Sequence, residues 1–194
     1  MRKKIYSDKD KKPEKIEQNK AKEIAGLVIY CLIVIAAMFL IIKYVGQRTV
    51  VMGHSMEPTL QDSDNLITDK ITYRFRDPKR FDIIVFPFKD NRATLLIKRI
   101  VGMPGETVQV IDGNVYVNGY ALEDNYGNAV MTDPGLAADP VVLKEDEYFV
   151  LGDNRNNSTD SRFESVGNIH RSEIIGRAWL RVWPLNKLSL LKHQ

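Results

Sequence analysis

Nineteen consecutive uncharged residues, Ile24 to Ile42 (IAGLVIYCLIVIAAMFLII), constrain this chain more than any other feature. A helix rises about 1.5 Å per residue, so the run reaches roughly 28 Å, close to the ~30 Å hydrocarbon core of a bilayer. A helix buried in a water-soluble domain normally keeps a polar stripe, and none interrupts this run. A cleaved leader has a shorter apolar stretch, about 7–15 residues, that ends in a small-residue cleavage site. Here Lys43-Tyr44-Val45-Gly46-Gln47-Arg48 follows instead. The run is therefore expected to stay attached as a transmembrane anchor.

Charge divides the chain at the same place. Residues 1–23 hold nine Lys and Arg against five Asp and Glu, a net of +4. The positive-inside rule then places 1–23 in the cytoplasm as a basic tail, 24–42 in the membrane, and 43–194 outside as a folded domain. Cys31, the only cysteine, falls in the lipid segment and reads as an apolar filler, so no disulfide framework is expected. The outer segment carries 19 basic and 20 acidic groups, which is not the basic footprint of a nucleic-acid binder. Three scattered histidines make no zinc-ligand pattern, and the phosphate-cradling glycine motifs are absent. Neither metal nor cofactor is expected.

Beyond Lys43 the apolar residues come in short, β-branched runs. Thr49–Met52, Asn65–Thr68, Asp82–Phe86, Thr94–Val101, Thr107–Ile111, Val115–Val117 and Tyr148–Leu151 are expected strands, and Ile174–Trp183 alternates as a closing one. Asp112-Gly113 and Asn118-Gly119 accept the positive φ values that tight hairpins demand. A short helix is expected from Ser172, with Glu173 in its first turn. Between Ala121 and Glu147 the pattern dissolves into Gly, Pro, Asp and Asn. The expected fold is mainly β, with a small inserted lobe near residues 105–140.

Three segments are unusual for a plain β-domain: GHSMEPTL from Gly53, IKRIVGMPGE from Ile97, and GDNRNNSTDSR from Gly152. Lys98 shares parity with Leu96 and Ile100, so strand alternation turns it inward, where an amine is costly unless neutral or paired. Pattern alone favours a snorkelling or salt-bridged lysine on an edge strand. Ser55 precedes a Pro-containing turn, a common place for serine. The stretch from Gly53 to Glu57 lacks the second glycine of a nucleophile elbow. Adjacent strand residues point apart, which makes His54 a poor base for Ser55. The third segment reads, by pattern, as a polar turn holding an Asp–Arg pair.

Taken in order, these segments resemble the boxes of the type I signal peptidase family, membrane-anchored serine proteases with a Ser–Lys dyad. Ser55 to Leu60 matches the serine box. Asp82 to Phe86 matches the strand box, with Phe81 before it where Gly is usual. Lys98 to Glu106 matches the lysine box, with Glu106 where Asp is more common, and Gly152 to Arg162 matches the last box. The likeness runs from the anchor to about Trp183, and the single anchor looks like the shorter, Gram-positive-type members.

The resemblance implies Ser55 as nucleophile and Lys98 as general base. It implies Ser158 as the residue that hydrogen-bonds and orients the lysine, and Asp160 with Arg162 as a bracing ion pair. Its substrates would be secretory preproteins, bound as an extended strand and cleaved after Ala-x-Ala-like sequences at the outer face of the cell membrane. Some relatives carry a hydroxyl two residues before the nucleophile that helps bind the oxyanion. Gly53 stands there in this chain, which leaves the Ser55 N–H and a second donor that the sequence does not identify. Met56, Phe86, Phe88, Trp179 and Trp183 are candidates for contact with the bilayer surface, ordinary core packing being expected for at least half. Two other readings are self-cleaving repressor-type proteases, which lack an anchor, and a catalytically silent, membrane-tethered β module.

Overall fold

A computed structural model describes residues 13–191 of the chain. They fall into two units that divide between Lys43 and Tyr44. The first contains one helix, α1 (Pro13–Tyr44), and within it Lys22–Ile41 is long and apolar enough to cross a membrane. The helix overruns the apolar stretch because Glu and Lys, which flank it, are good helix formers. Ile24, Leu27, Ile33 and Phe39 are each more than half exposed, a surface suited to lipid rather than water.

The second unit is mainly β, as the spacing of its apolar runs predicts. In chain order it comprises β1 (Gly46–Val50), β2 (Asn65–Asp69), the single turn α2 (Thr72–Phe75), β3 (Ile83–Pro87), β4 (Leu95–Gly102), β5 (Thr107–Ile111) and β6 (Asn114–Val117). Then follow β7 (Tyr120–Ala121), β8 (Val141–Val142), β9 (Glu147–Leu151), β10 (Ile169–His170), β11 (Gly176–Trp183) and β12 (Ser189–Leu190). Eight strands make one antiparallel sheet in the order β1-β2-β11-β3-β4-β9-β10, with β12 added on β11. The other four make a small sheet, β7-β6-β5-β8. Both expected hairpins are present: φ is 49° and 74° at Asp112-Gly113, and 51° and 81° at Asn118-Gly119. The helix expected from Ser172 is a single 3-10 turn, Arg171–Glu173.

Burial explains why the central strands read as unbroken apolar runs. Along β3, Ile83 and Val85 pack with Val51, Met56, Leu60, Leu66 and Ile97, whereas Ile84 and Phe86 pack with Ile100, Tyr148 and Val150. Both faces are covered, so alternation is lost. Val101, Phe149 and Leu151 continue into a third cluster with Val108, Val110, Val115 and Val117, which joins the small sheet to the ends of β4 and β9. Each fully buried side chain of this kind contributes about 1.5–3 kcal/mol. Two of the candidate bilayer contacts are therefore core residues, since Met56 and Phe86 are 1% exposed. Phe88 is partly buried against the second cluster, while Trp179 and Trp183 are 41% and 54% exposed.

Candidate active site

After β1 the chain turns at Gly53, whose φ of +85° is left-handed and costs an L-residue about 1–2 kcal/mol. A hydroxyl-bearing side chain at this position would be strained, which accounts for the glycine. The Gly53 N–H donates to Asp62 Oδ1 at 2.7 Å. Ser55 then heads a tight turn closed by Leu60 N–H on the Met56 carbonyl at 2.9 Å, with Met56 and Leu60 sunk in the core. His54 is exposed, and its Nδ1 lies 3.0 Å from Glu57 Oε1. That hydrogen bond raises its pKa and engages the ring away from Ser55.

Lys98 comes from β4, opposite Ile84 in the register and between Leu96 and Ile100. It is 3% exposed, and its Nζ donates to Ser55 Oγ at 2.8 Å and to the Ile97 carbonyl at 3.1 Å. Desolvation disfavours the ammonium and lowers the pKa from 10.5 to about 8, against an upward pull from Asp160 and Asp153. Near pH 8 a large share of these amines is neutral. The hydrogen bond can then reverse, with the serine hydroxyl donating to the amine lone pair.

The last box wraps this pair. A Cβ at Gly152 would collide with Ser158 Oγ and with the Ser55 carbonyl, so the chain passes too near the serine for any other residue. Asp160 and Arg162 form a bidentate pair, Nε to Oδ1 at 2.8 Å and Nη2 to Oδ2 at 2.9 Å, and Asp160 also accepts the Gly152 N–H at 3.0 Å. Arg162 further donates to the Arg155 and Asp133 carbonyls, at 2.6 and 2.9 Å. Ser158 departs from expectation. Its buried Oγ makes no hydrogen bond among the described residues and rests against the Gly152 backbone, while the lysine amine is turned to Ser55 and the Ile97 carbonyl.

Sequence reasoning missed a second buried pair. Arg99 is fully buried and grips Asp153 with Nε to Oδ1 at 2.8 Å and Nη2 to Oδ2 at 2.7 Å. It also donates to the Phe81 carbonyl at 2.9 Å and stacks 3.6 Å from the Tyr126 ring centroid. The Thr59 hydroxyl donates to Asp153 Oδ2 at 2.5 Å. One carboxylate thereby ties the serine box, β4 and the last box together. The available signal was the Lys98-Arg99 dipeptide itself: two adjacent basic residues in an apolar strand point to opposite faces, and here both faces are covered.

Residues 24–183 match the family model described as signal peptidase, peptidase S26. The chain is 40% identical over 196 residues to a probable signal peptidase I-2 of Synechocystis sp., covering 98% of this chain and 86% of that one. It is 34% identical over 183 residues to signal peptidase I P of Bacillus subtilis subsp. natto, covering 91% and 98%. A crystal structure of a signal peptidase I from Enterococcus faecalis V583 is 34% identical and covers 53% of this chain and 97% of that chain, with a TM-score of 0.44.

Proposed function

The chain belongs to the signal peptidase, peptidase S26, family, a group of serine peptidases that remove signal peptides from preproteins, and on that premise we propose that Ser55 and Lys98 carry the cleavage. One observation supports this most: the 2.8 Å contact between the serine oxygen and a buried amine whose pKa is lowered to about 8. Neutral Lys98 takes the Ser55 proton as Oγ bonds to the scissile carbonyl carbon, and the carbonyl π pair moves onto oxygen. The Ser55 backbone N–H donates to that oxyanion. As the intermediate collapses, the leaving amine takes the proton from Lys98 and departs with the mature protein. Water then attacks the acyl-enzyme, Lys98 accepts its proton, and Ser55 recovers a hydrogen as the signal peptide leaves. Asp160 and Arg162 brace the loop that carries these contacts, and Ser158 packs beside them.

The preprotein binds as an extended strand, with shallow pockets for Ala-like residues at −1 and −3. The basic tail before the apolar helix puts residues 1–23 in the cytoplasm and residues 43–194 outside the cell membrane, where the scissile bond emerges. The test is processing of a preprotein by the full chain in detergent, with product termini read by mass spectrometry. One cut after the Ala-x-Ala site is expected, lost with Phe at −1 and reduced to background in Ser55→Ala and Lys98→Met. Processing retained by Ser55→Ala would contradict the assignment.

A further inference from the structure

We infer that Asn154 is a positioning residue that sets the direction of the Ser55 backbone N–H, the donor that meets the oxyanion. The inference rests on the reading of Ser55 as nucleophile. A trans peptide unit is planar, with its C=O and N–H on opposite sides. Whatever holds the His54 carbonyl therefore aims the Ser55 N–H. Two donors hold it, Glu57 N–H at 3.2 Å and Asn154 Nδ2 at 3.1 Å. The next carbonyl, that of Ser55, accepts from the Asn154 backbone N–H at 3.0 Å. A single asparagine thus grips both carbonyls that flank the Ser55 Cα. The Ser55 N–H itself donates to no acceptor among the described residues.

The turn has few other means of holding that peptide. Gly53 sits at φ +85° with open space where a Cβ would lie, and the exposed His54 ring is engaged by Glu57. With a glycine at position 53 there is no side-chain hydroxyl to supplement the backbone donor, so its aim matters more. The Asn154 amide is itself oriented by the small lobe. Asn128 Oδ1 accepts the Arg155 N–H at 3.1 Å, and Asn128 Nδ2 donates to Asn154 Oδ1 at 3.1 Å. The Asn154 oxygen consequently faces Asn128 and its NH2 faces His54. Asn128 N–H donates to the Asp153 carbonyl at 3.0 Å, and Asp124 holds Arg155 in a buried ion pair. The segment from Asp124 to Asn128 reaches the reacting centre through two amides.

Asn154→Ala in the full chain removes the side-chain donor and keeps the backbone bond to Ser55. Loss of a whole oxyanion donor costs about 10²–10³ in kcat, so a misdirected one is expected to cost about 10- to 100-fold. KM and the pH limb set by Lys98 should stay where they are, because the contact acts only in the transition state. A substrate-derived peptide aldehyde, whose hemiacetal oxygen occupies the oxyanion position, should lose affinity by the same factor, and the matching uncleavable peptide should not. Asn154→Asp keeps the acceptor for Asn128 and loses the donor, and should give the same split between aldehyde and peptide. An unchanged kcat in Asn154→Ala, a loss confined to KM, or a displaced pH limb would overturn the inference. Ser55→Ala separates the two levels. If it still processes preprotein, the reading of the nucleophile has failed. If it is inactive while Asn154→Ala runs at full rate, only the positioning role has failed.

Discussion

Phe81 holds a backbone φ of +68°, a region that side chains avoid, at the position where the strand box usually carries glycine. Its buried ring, 5.2 Å from that of Tyr126, offsets the strain, and its carbonyl receives Arg99. Phe81→Ala should cost about 3–5 kcal/mol through lost burial with the strain kept, while Phe81→Gly should recover about 1 kcal/mol of that. Melting temperatures of the two variants in detergent check this, and an Ala variant as stable as the Gly one would remove strain from the account. Lys98 gives the second test. Its pKa falls from 10.5 in the unfolded chain to about 8 in the fold, equivalent to about 3 kcal/mol of preference for the neutral amine. Between these values the unfolded chain binds more protons, so stability rises with pH across that window and the penalty is fully present below it. Lys98→Met should melt no lower than the native chain at pH 7, because an apolar chain of similar length replaces a reluctant amine. A lower melting temperature would mean that the amine is stabilised where it sits. Parity in the sequence pointed Lys98 inward. It could not give the amine's partner, which lies 43 positions away and is brought near only by the sheet.

At the level of elements, a β-branched run bounded by a turn signal marks a strand, and Thr107–Ile111 falls where its apolar run does, whereas β7, β8, β10 and β12 are two residues each and too short to show a pattern. β1 starts three residues before the expected Thr49, since Gly46 and Gln47 carry no strand signal and are held by pairing to Asp69 and Thr68 of β2. Alternation failed in β3 and β4 for a physical reason: both faces are covered, so the outward parity that exposes a residue elsewhere buries Arg99 here. The last box looked like a polar turn because its residues are polar. In the fold it is a buried network, in which Asp153, Arg155, Asp160 and Arg162 each spend their polarity on the protein itself. Gly152 carries the strictest demand in it. Gly152→Ala must push back either the Ser158 side chain or the Ser55 backbone, and a shift of about 1 Å at a reacting centre can cost 10²-fold in rate. A fall of kcat/KM by about that factor is expected, against a smaller change in melting temperature. Full activity in Gly152→Ala would show that the loop yields without moving the serine.

At the scale of the whole molecule, composition and charge divide the chain where the two units divide, near Lys43. The apolar run accounts for the helix, and the excess of positive charge ahead of it accounts for the proposed orientation. External protease added to protoplasts should degrade residues 43–194 and spare a tag placed at the N-terminus. A C-terminal domain protected until the membrane is breached would reverse that orientation. The exposed Trp179 and Trp183 were legible only as apolar residues, because sequence alone does not separate an aromatic on a covered face from one on an open face. The central claim is that a buried, neutral Lys98 activates Ser55, and the pH dependence of kcat/KM for preprotein cleavage by the full chain tests it most directly. That quantity reports the free enzyme's ionisations, so it should rise through about pH 8 and level off above it. A limb near the ordinary histidine pKa of about 6.5, or a rate that does not change between pH 6 and 10, would contradict it.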